Sequence, residues 1–331
     1  MIQQKELNTL AAGDKVNHFV LLNRLEVKTA RNNKPYLNLI VSDKSASLSA
    51  KMWDNFDDFI LSAKEGNVIK ILGLIDDYQG QMQIKIEKIR LALESDNVIP
   101  GDFLPSSNRD LNEMTDELET RIKKILNPSL KKLIQSILSD ERFEKYIRVP
   151  AGKSWHHAYL HGLLEHTLEI IRICDLMCDI HENLNRDLLI SGAILHDLGK
   201  TEELTIEPSF DYTDKGRLLG HIVIAANIIE SETKKIKNFP EELKTQLLHL
   251  VLSHQGKLEQ ASPVEPKTVE AIVLYHADEL SAKTNAYKSA VKAEEKSGNK
   301  WTKYIGLINT SLFIPGKDAN QEFTKEDLFD N

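Results

Sequence analysis

The 331-residue chain has only two cysteines, Cys174 and Cys178, one helical turn apart in an apolar stretch. A disulfide framework is excluded, and two reduced, buried thiols are expected, because a closed zinc site needs four ligands. No run reaches the roughly eighteen apolar residues of a membrane span. Lys5, Glu6, Asp14 and Lys15 interrupt the N-terminus where a secretory leader needs an unbroken apolar segment. The expectation is therefore a cytoplasmic protein that does not engage a membrane. A surplus of positive charge is also missing: 42 Lys and Arg face 50 Asp and Glu, for a formal charge of −8. That balance argues against a protein that coats nucleic acid by counterion release. Internal repeats and low-complexity tracts are absent too. What remains, 41% hydrophobic and 28% charged, is an ordinary globular composition in a chain longer than one core usually organises.

The totals hide an uneven distribution. Residues 1–94 hold 13 basic and 12 acidic residues, a balance of +1, whereas 95–331 hold 29 and 38, a balance of −9. Ten of the eleven histidines fall between His156 and His276.

From Val16 to Leu91 the pattern is that of strands, clearest where Met82, Ile84 and Ile86 alternate with Gln83, Lys85 and Glu87. Five strands are predicted, at 17–28, 35–42, 46–53, 67–76 and 80–91, with turns at 31–35 and 77–80. A short helix between the third and fourth, capped by Asp54, stops at Gly66. Five strands with a helix after the third is the order of the OB-fold barrel, whose open face and loops take single-stranded nucleic acid or sugars. The stretch resembles the nucleic-acid-binding OB domains that precede nuclease and synthetase catalytic domains. Single-strand binding needs aromatic platforms and cations. The candidates are Tyr36, Trp53 and Tyr78 for stacking, with Lys28, Arg31, Lys34 and Lys51 for phosphates; the competing reading makes the aromatics barrel core and the lysines solvated surface.

Residues 94–108, with two prolines, a glycine and paired serines, read as the linker. Beyond it the period becomes helical, with helices expected at 109–126, 128–138, 140–147, 156–180, 185–197, 217–234, 240–254 and 266–290, and a hairpin-like insertion at 205–213. Four divisions follow: an OB domain over 1–93, a linker and helical connector over 94–148, a helical domain over 149–295 and a tail over 296–331.

The residues that carry chemistry are His166 in GLLEHT, His196 and Asp197 in ILHDLGK, His221 in LLGHI, His254 in LSHQG and Asp278 in YHADEL. Each lies on or at the end of an expected helix, and packed helices can aim such side chains into one pocket. Neighbours on a helix diverge by about 100°, so His196 and Asp197 suit two ligand directions or a bridging carboxylate. Gly199 is expected to supply a left-handed turn that ends the helix, and Lys200 to place an ammonium beside the pocket. His156, His157 and His161 stand at the expected start of the helix carrying His166, where His156 and His157 could contact substrate; His157 and His161 are taken as the candidates for that contact.

The order His, His-Asp, Asp at His166, His196, Asp197 and Asp278 resembles the HD-domain metal-dependent phosphohydrolases, an all-helical superfamily. The HDxGK form of the pair is among its most specific pieces. His221 and His254 match the positions that give part of that superfamily a second metal. With an OB domain in front and HHAYLHGLLEHT, LLGH and YHADEL behind, nearly the whole chain looks like the YhaM group of 3′-5′ exoribonucleases, also described as single-strand DNA binding factors. The fold implied is a multidomain one, an all-β OB barrel followed by an all-α HD bundle.

The resemblance also implies a ligand set. One ion falls to His166, His196, Asp197 and Asp278, and a second to His221, His254 and the other oxygen of Asp197. Two close cations suit phosphodiester hydrolysis, because they acidify a shared water and neutralise phosphoryl oxygens. Imidazole and carboxylate donors without thiolate favour Mn²⁺, Fe²⁺, Co²⁺ or Zn²⁺, with Mn²⁺ first. Asp197 and Lys200 become the catalytic pair. The expected activity is metal-dependent 3′-5′ hydrolysis of single-stranded RNA to 5′-mononucleotides, with single-stranded DNA and homo-oligomerisation left open. Two alternatives stand beside it: an HD hydrolase of a small nucleotide (a nucleotidase, or one acting on a dNTP or cyclic dinucleotide), and a single-strand DNA or RNA binding factor with little turnover.

Overall fold

The computed structural model describes residues 4–315 apart from 31, 79, 207–209, 296–297 and 307. Strands β1 (Lys15–Thr29), β2 (Pro35–Ser42), β3 (Ser47–Met52), β4 (Val68–Tyr78) and β5 (Gln81–Leu91) close a barrel in the order β1-β2-β3-β5-β4. β1 is long enough to pair with β4 through its first half and with β2 through its second, changing register between Leu22 and Arg24. Closure comes from the parallel pairing of β3 with β5 at Ser49–Lys51. The period of two places Val16, Val20 and Leu22 inside with Leu37, Leu39, Val41, Ile69, Ile71, Ile84 and Ile86. The helix between β3 and β4, α1 (Asp57–Ser62), is shorter than expected. Its first turn is flanked by Phe56 rather than capped by Asp54, and Phe56 and Phe59 are buried against the barrel.

The predicted linker is not a loose tether. It forms two 3₁₀ turns, Glu94–Asp96 and Pro100–Phe103, and Phe103 and Leu104 bury against Leu21 and Val68 of the barrel. Half-buried Leu160, Ile206 and Phe210 from the helical part close over the same cluster. Apolar side chains in the connection thus fasten it to both neighbours, which proline and serine content alone concealed.

The helices are α2 (Leu111–Lys123), α3 (Pro128–Ile137), α4 (Asp140–Arg148), α5 (Gly162–Ile180), α6 (Arg186–Leu195), the one-turn α7 (Lys200–Glu203), α8 (Asp214–Lys235), α9 (Glu241–Ser253) and α10 (Val269–Glu294). Asp110 and Asn127 cap α2 and α3 by accepting from the second and third backbone N–H groups. Met114, Leu118, Leu130 and Ile134 from α2 and α3 share one continuous core with Leu164 and Ile171 of α5, Ile194 of α6, Leu250 of α9 and Leu274 of α10. The insertion at 205–213 is a hairpin whose paired ends are β6 (Leu204–Thr205) and β7 (Asp211–Tyr212). No helix among the described residues is long and apolar enough to cross a membrane.

Candidate active site and nucleic-acid interface

The first ligand candidates sit at helix ends for a shared reason. His196 follows the last residue of α6, and its Nδ1–H donates to the Ala193 carbonyl three residues back at 2.8 Å. His254 repeats the device at the end of α9, donating to Val251 O at 2.7 Å. Carbonyls of a last helical turn lack intrahelical donors, so each ring satisfies one of them and is locked with Nε2 facing outward. His221 is placed differently. α8 is broken at Gly220, where φ is 72°, a value that glycine adopts without a Cβ penalty. The break frees the His221 N–H, and Glu203 Oε1 accepts both that N–H at 2.9 Å and the ring Nδ1–H at 3.2 Å. His166, in the second turn of α5, donates through Nδ1–H to Ser281 Oγ at 2.9 Å, and Ser281 in turn donates to Glu169 Oε2 at 2.6 Å.

Every outward-facing Nε2 converges on Asp197. Oδ2 lies 3.2 Å from His196 Nε2 and 3.8 Å from His166 Nε2, while Oδ1 lies 3.3 Å from His221 Nε2 and 3.7 Å from His254 Nε2. Asp278 Oδ1 is 3.0 Å from His166 Nε2. Two triads result, His166-His196-Asp197 and Asp197-His221-His254, each with its donor atoms within 4.8 Å of one another. Lys200 Nζ donates to Asp197 Oδ2 at 2.6 Å.

The donor set fits divalent cations. His196 Nε2 and Asp197 Oδ1 are buried polar atoms with no hydrogen-bond partner, a costly state unless something positive sits between them. Burial holds His166 well below the ordinary histidine range, and burial with the neighbouring His196 charge brings His254 down to about 4. Both rings are thus neutral near pH 7, the form that binds metal. Burial alone would depress His196 as well, but the adjacent Asp197 carboxylate raises it. Burial would raise Asp197, yet Lys200 and His196 keep it well below the usual carboxylate range, charged and able to serve both triads.

Gly199 departs from expectation. Its φ and ψ are −61° and −19°, ordinary right-handed values, so it makes no left-handed cap. Its role is close approach: a Cβ there would run into the His221 carbonyl, so the bare backbone lets α8 come against the HDLGK turn. The helix bearing His166 also begins later than expected, at Gly162, because His157 (φ 43°) and His161 (φ 68°) hold left-handed conformations that interrupt it. The proposed contacts at His157 and His161 do not face the cavity. His157 is fully buried with Nε2 3.4 Å from Glu169 Oε2, and the His161 ring is bonded to the Ile147 carbonyl at 2.6 Å. His156, which the sequence also places where substrate could be met, lines the cavity with Trp155, Asp197, Lys200, His254 and Asp278. Cys174 and Cys178 are free thiols that join neither triad; Cys174 is buried as expected, whereas Cys178 is only half-buried.

On the barrel, Tyr36, Lys51, Trp53 and Tyr78 line one cleft of about 690 Å³, together with Asn32, Gln83 and Lys85. Tyr36 and Trp53 stack at 4.7 Å and 25°, Lys51 lies over the Tyr78 ring, and Trp53 and Tyr78 are 43% and 56% exposed. These aromatics are surface, not barrel core. Lys28, ion-paired with Glu26 at 3.0 Å, and Lys34 lie outside the cleft lining, and Arg31 is outside the described residues. Lys85, Gln83, Glu203, Ser281 and Glu169 were not singled out by sequence. The usable signals were alternation on β5 and the three-residue spacing of His166 to Glu169 and of Asp278 to Ser281.

A helical pocket of histidines around one aspartate, behind a five-stranded barrel with an aromatic cleft, defines an OB-fold joined to an HD domain. Family models agree: the HD domain matches residues 163–283 and the "OB-fold nucleic acid binding domain" matches residues 24–92. The chain is 35% identical over 304 residues to the 3'-5' exoribonuclease YhaM of Geobacillus sp. (strain WCH70), covering 92% of this chain and 93% of that protein. It is 33% identical to the proteins of that name from Bacillus subtilis (strain 168), with 92% and 96% coverage, and Listeria innocua serovar 6a, with 94% and 99%. The chain belongs to the YhaM family.

Proposed function

We propose that this protein is a metal-dependent 3′-5′ exoribonuclease that shortens single-stranded RNA, and single-stranded DNA as a second substrate, to 5′-mononucleotides at a two-metal site. The observation that carries the reading is a single buried carboxylate, Asp197, shared by two histidine triads. His166, His196, Asp197 and Asp278 would hold one ion and Asp197, His221 and His254 the other, with Mn²⁺ first among Fe²⁺, Co²⁺ and Zn²⁺. When bound, such ions polarise phosphoryl oxygens and acidify water. Lys200 keeps an ammonium at the pocket floor, where it meets the scissile phosphate and steadies the departing oxygen. The locked rings keep their Nε2 lone pairs aimed inward, so the pocket needs little reorganisation on loading. The Tyr36-Trp53 pair, Tyr78 and Lys51 grip the upstream strand by stacking and charge, which a binding face needs irrespective of the chain's net acidity.

The test uses 3′-labelled and 5′-labelled oligoribonucleotides with Mn²⁺ and the full-length protein. Early release of the 3′ label as mononucleotide is expected, and its absence refutes the exonuclease. Asp197→Ala is expected to abolish turnover while oligonucleotide retardation in a gel persists. Loss of both would place strand binding in the HD pocket.

A further inference from the structure

The cavity over the metal triads has two unlike sides. One is the ligand floor of Asp197, His254 and Lys200; the other is a face of α10 that presents Tyr275, Asp278, Glu279, Ala282 and Lys283. These positions recur at intervals of three and four, so they form one stripe flanking the ligand Asp278. The Tyr275 ring lies against the Gly256 backbone, which holds it as a fixed plate at the cavity wall. Glu279 Oε1 accepts from Lys283 Nζ at 2.6 Å, which orients the carboxylate and leaves Oε2 for a ligand. Gln255 and Gln260 also line the cavity, with amides that both donate and accept. The cavity measures about 270 Å³, against 690 Å³ for the barrel cleft. That is just below the roughly 300–1,000 Å³ of small-molecule sites, the scale of a single nucleotide.

We propose that this cavity seats the 3′-terminal nucleotide: Tyr275 stacks on its base, and Glu279 accepts hydrogen bonds from the terminal ribose hydroxyls, so a 3′-hydroxyl end is taken and a 3′-phosphate end rejected. The inference rests on the exoribonuclease reading and adds the group that recognises the end. A carboxylate can accept from hydroxyls but meets a terminal phosphate as a second anion. The glutamine amides can pair with any base edge, which suits removal of nucleotides in any sequence.

The experiment compares two oligoribonucleotides, identical but for a 3′-hydroxyl or 3′-phosphate, with full-length protein and Mn²⁺. The wild type is expected to favour the hydroxyl end by roughly 100-fold in kcat/KM, as like-charge opposition allows. Glu279→Gln is expected to narrow that ratio about tenfold. Tyr275→Ala is expected to raise KM on the hydroxyl end about tenfold, with Tyr275→Phe restoring it, as stacking predicts. Equal wild-type cleavage of both ends, or an unchanged ratio in Glu279→Gln, overturns the proposal. Failure to cleave either end overturns the exonuclease reading itself, so the two failures are distinguishable.

Discussion

Ser281 offers a way to weaken one of the proposed metal positions without touching a proposed ligand. Its Oγ accepts from His166 Nδ1–H and donates to Glu169, and the residue is only 3% exposed. Ser281→Ala deletes one oxygen, strands the His166 N–H without an acceptor and frees the ring to turn. A buried donor left unsatisfied costs about 1–3 kcal/mol. Loss of the partner that orients a ligating histidine weakens metal binding about 10- to 100-fold, or about 1.4–2.7 kcal/mol. Glu203→Gln is the reciprocal change, since Glu203 Oε1 serves both the backbone and the ring of His221. Competition titration with Mn²⁺ and a chelator on the full-length protein should resolve two equivalents in the wild type. Ser281→Ala should weaken one of them and Glu203→Gln the other. Wild-type affinity at both positions in both variants, or the same position lost in each, would refute the assignment of separate anchors.

Other outcomes follow from the same geometry. Trp53→Ala removes half of the stacked Tyr36-Trp53 pair and should weaken oligoribonucleotide binding by about 1–3 kcal/mol, read by fluorescence anisotropy, with metal content unchanged. Gly199→Ala forces the His221 backbone away and should lower metal stoichiometry toward one, measured by elemental analysis, with a fall in melting temperature. Glu117 joins α2 to α5 through Arg172 and also meets Arg109. Burial opposes its ionisation, but the Arg172 and Arg109 hydrogen bonds prevail and bring it from 4.5 to about 2. A depressed folded-state value means its contribution is present above pH 4.5 and lost as pH falls from there toward 2. Thermal unfolding of Glu117→Gln should therefore depend less on pH across that window than wild type; parallel curves would show that the pair contributes nothing.

The cluster around Asp197 was legible because its residues follow a fixed order in the sequence, and the turns that place His196 and His254 at helix ends are local. His196 and His254 fold back on carbonyls only three residues away, so a short string such as ILHDLG contains both the ligand and what holds it. The barrel was legible for a similar reason, its alternation surviving through β5. What escaped depends on contacts distant in sequence. Gly199, expected to be left-handed, is needed instead for an α8 approach some twenty residues on, and Gly220, given no role by the sequence, carries the positive φ that frees His221. The loop at His156 and His157 read as helix because histidine spacing does not reveal two left-handed residues, and those residues decide which imidazole meets the cavity.

The net charge of the helical half is not the charge that each part of its surface presents. Glu117 is surrounded by Arg109, Arg121 and Arg172, Asp175 by Arg121 and Arg186, and Asp211 by Lys153 and Arg217. These carboxylates are matched on the helical exterior and project little field toward the pocket, where screening over about 8 Å at physiological salt weakens them further. Within the pocket Asp197 already has Lys200 and His196 beside it. On the proposed function, the charge a nucleic acid meets is set locally, by Lys51 and Lys85 at the barrel cleft and by Lys200 at the cavity, where cations held by Asp197 and Asp278 would reverse the sign of those carboxylates' contribution. Net charge sums the whole surface and is therefore a poor guide to the charge at either cleft.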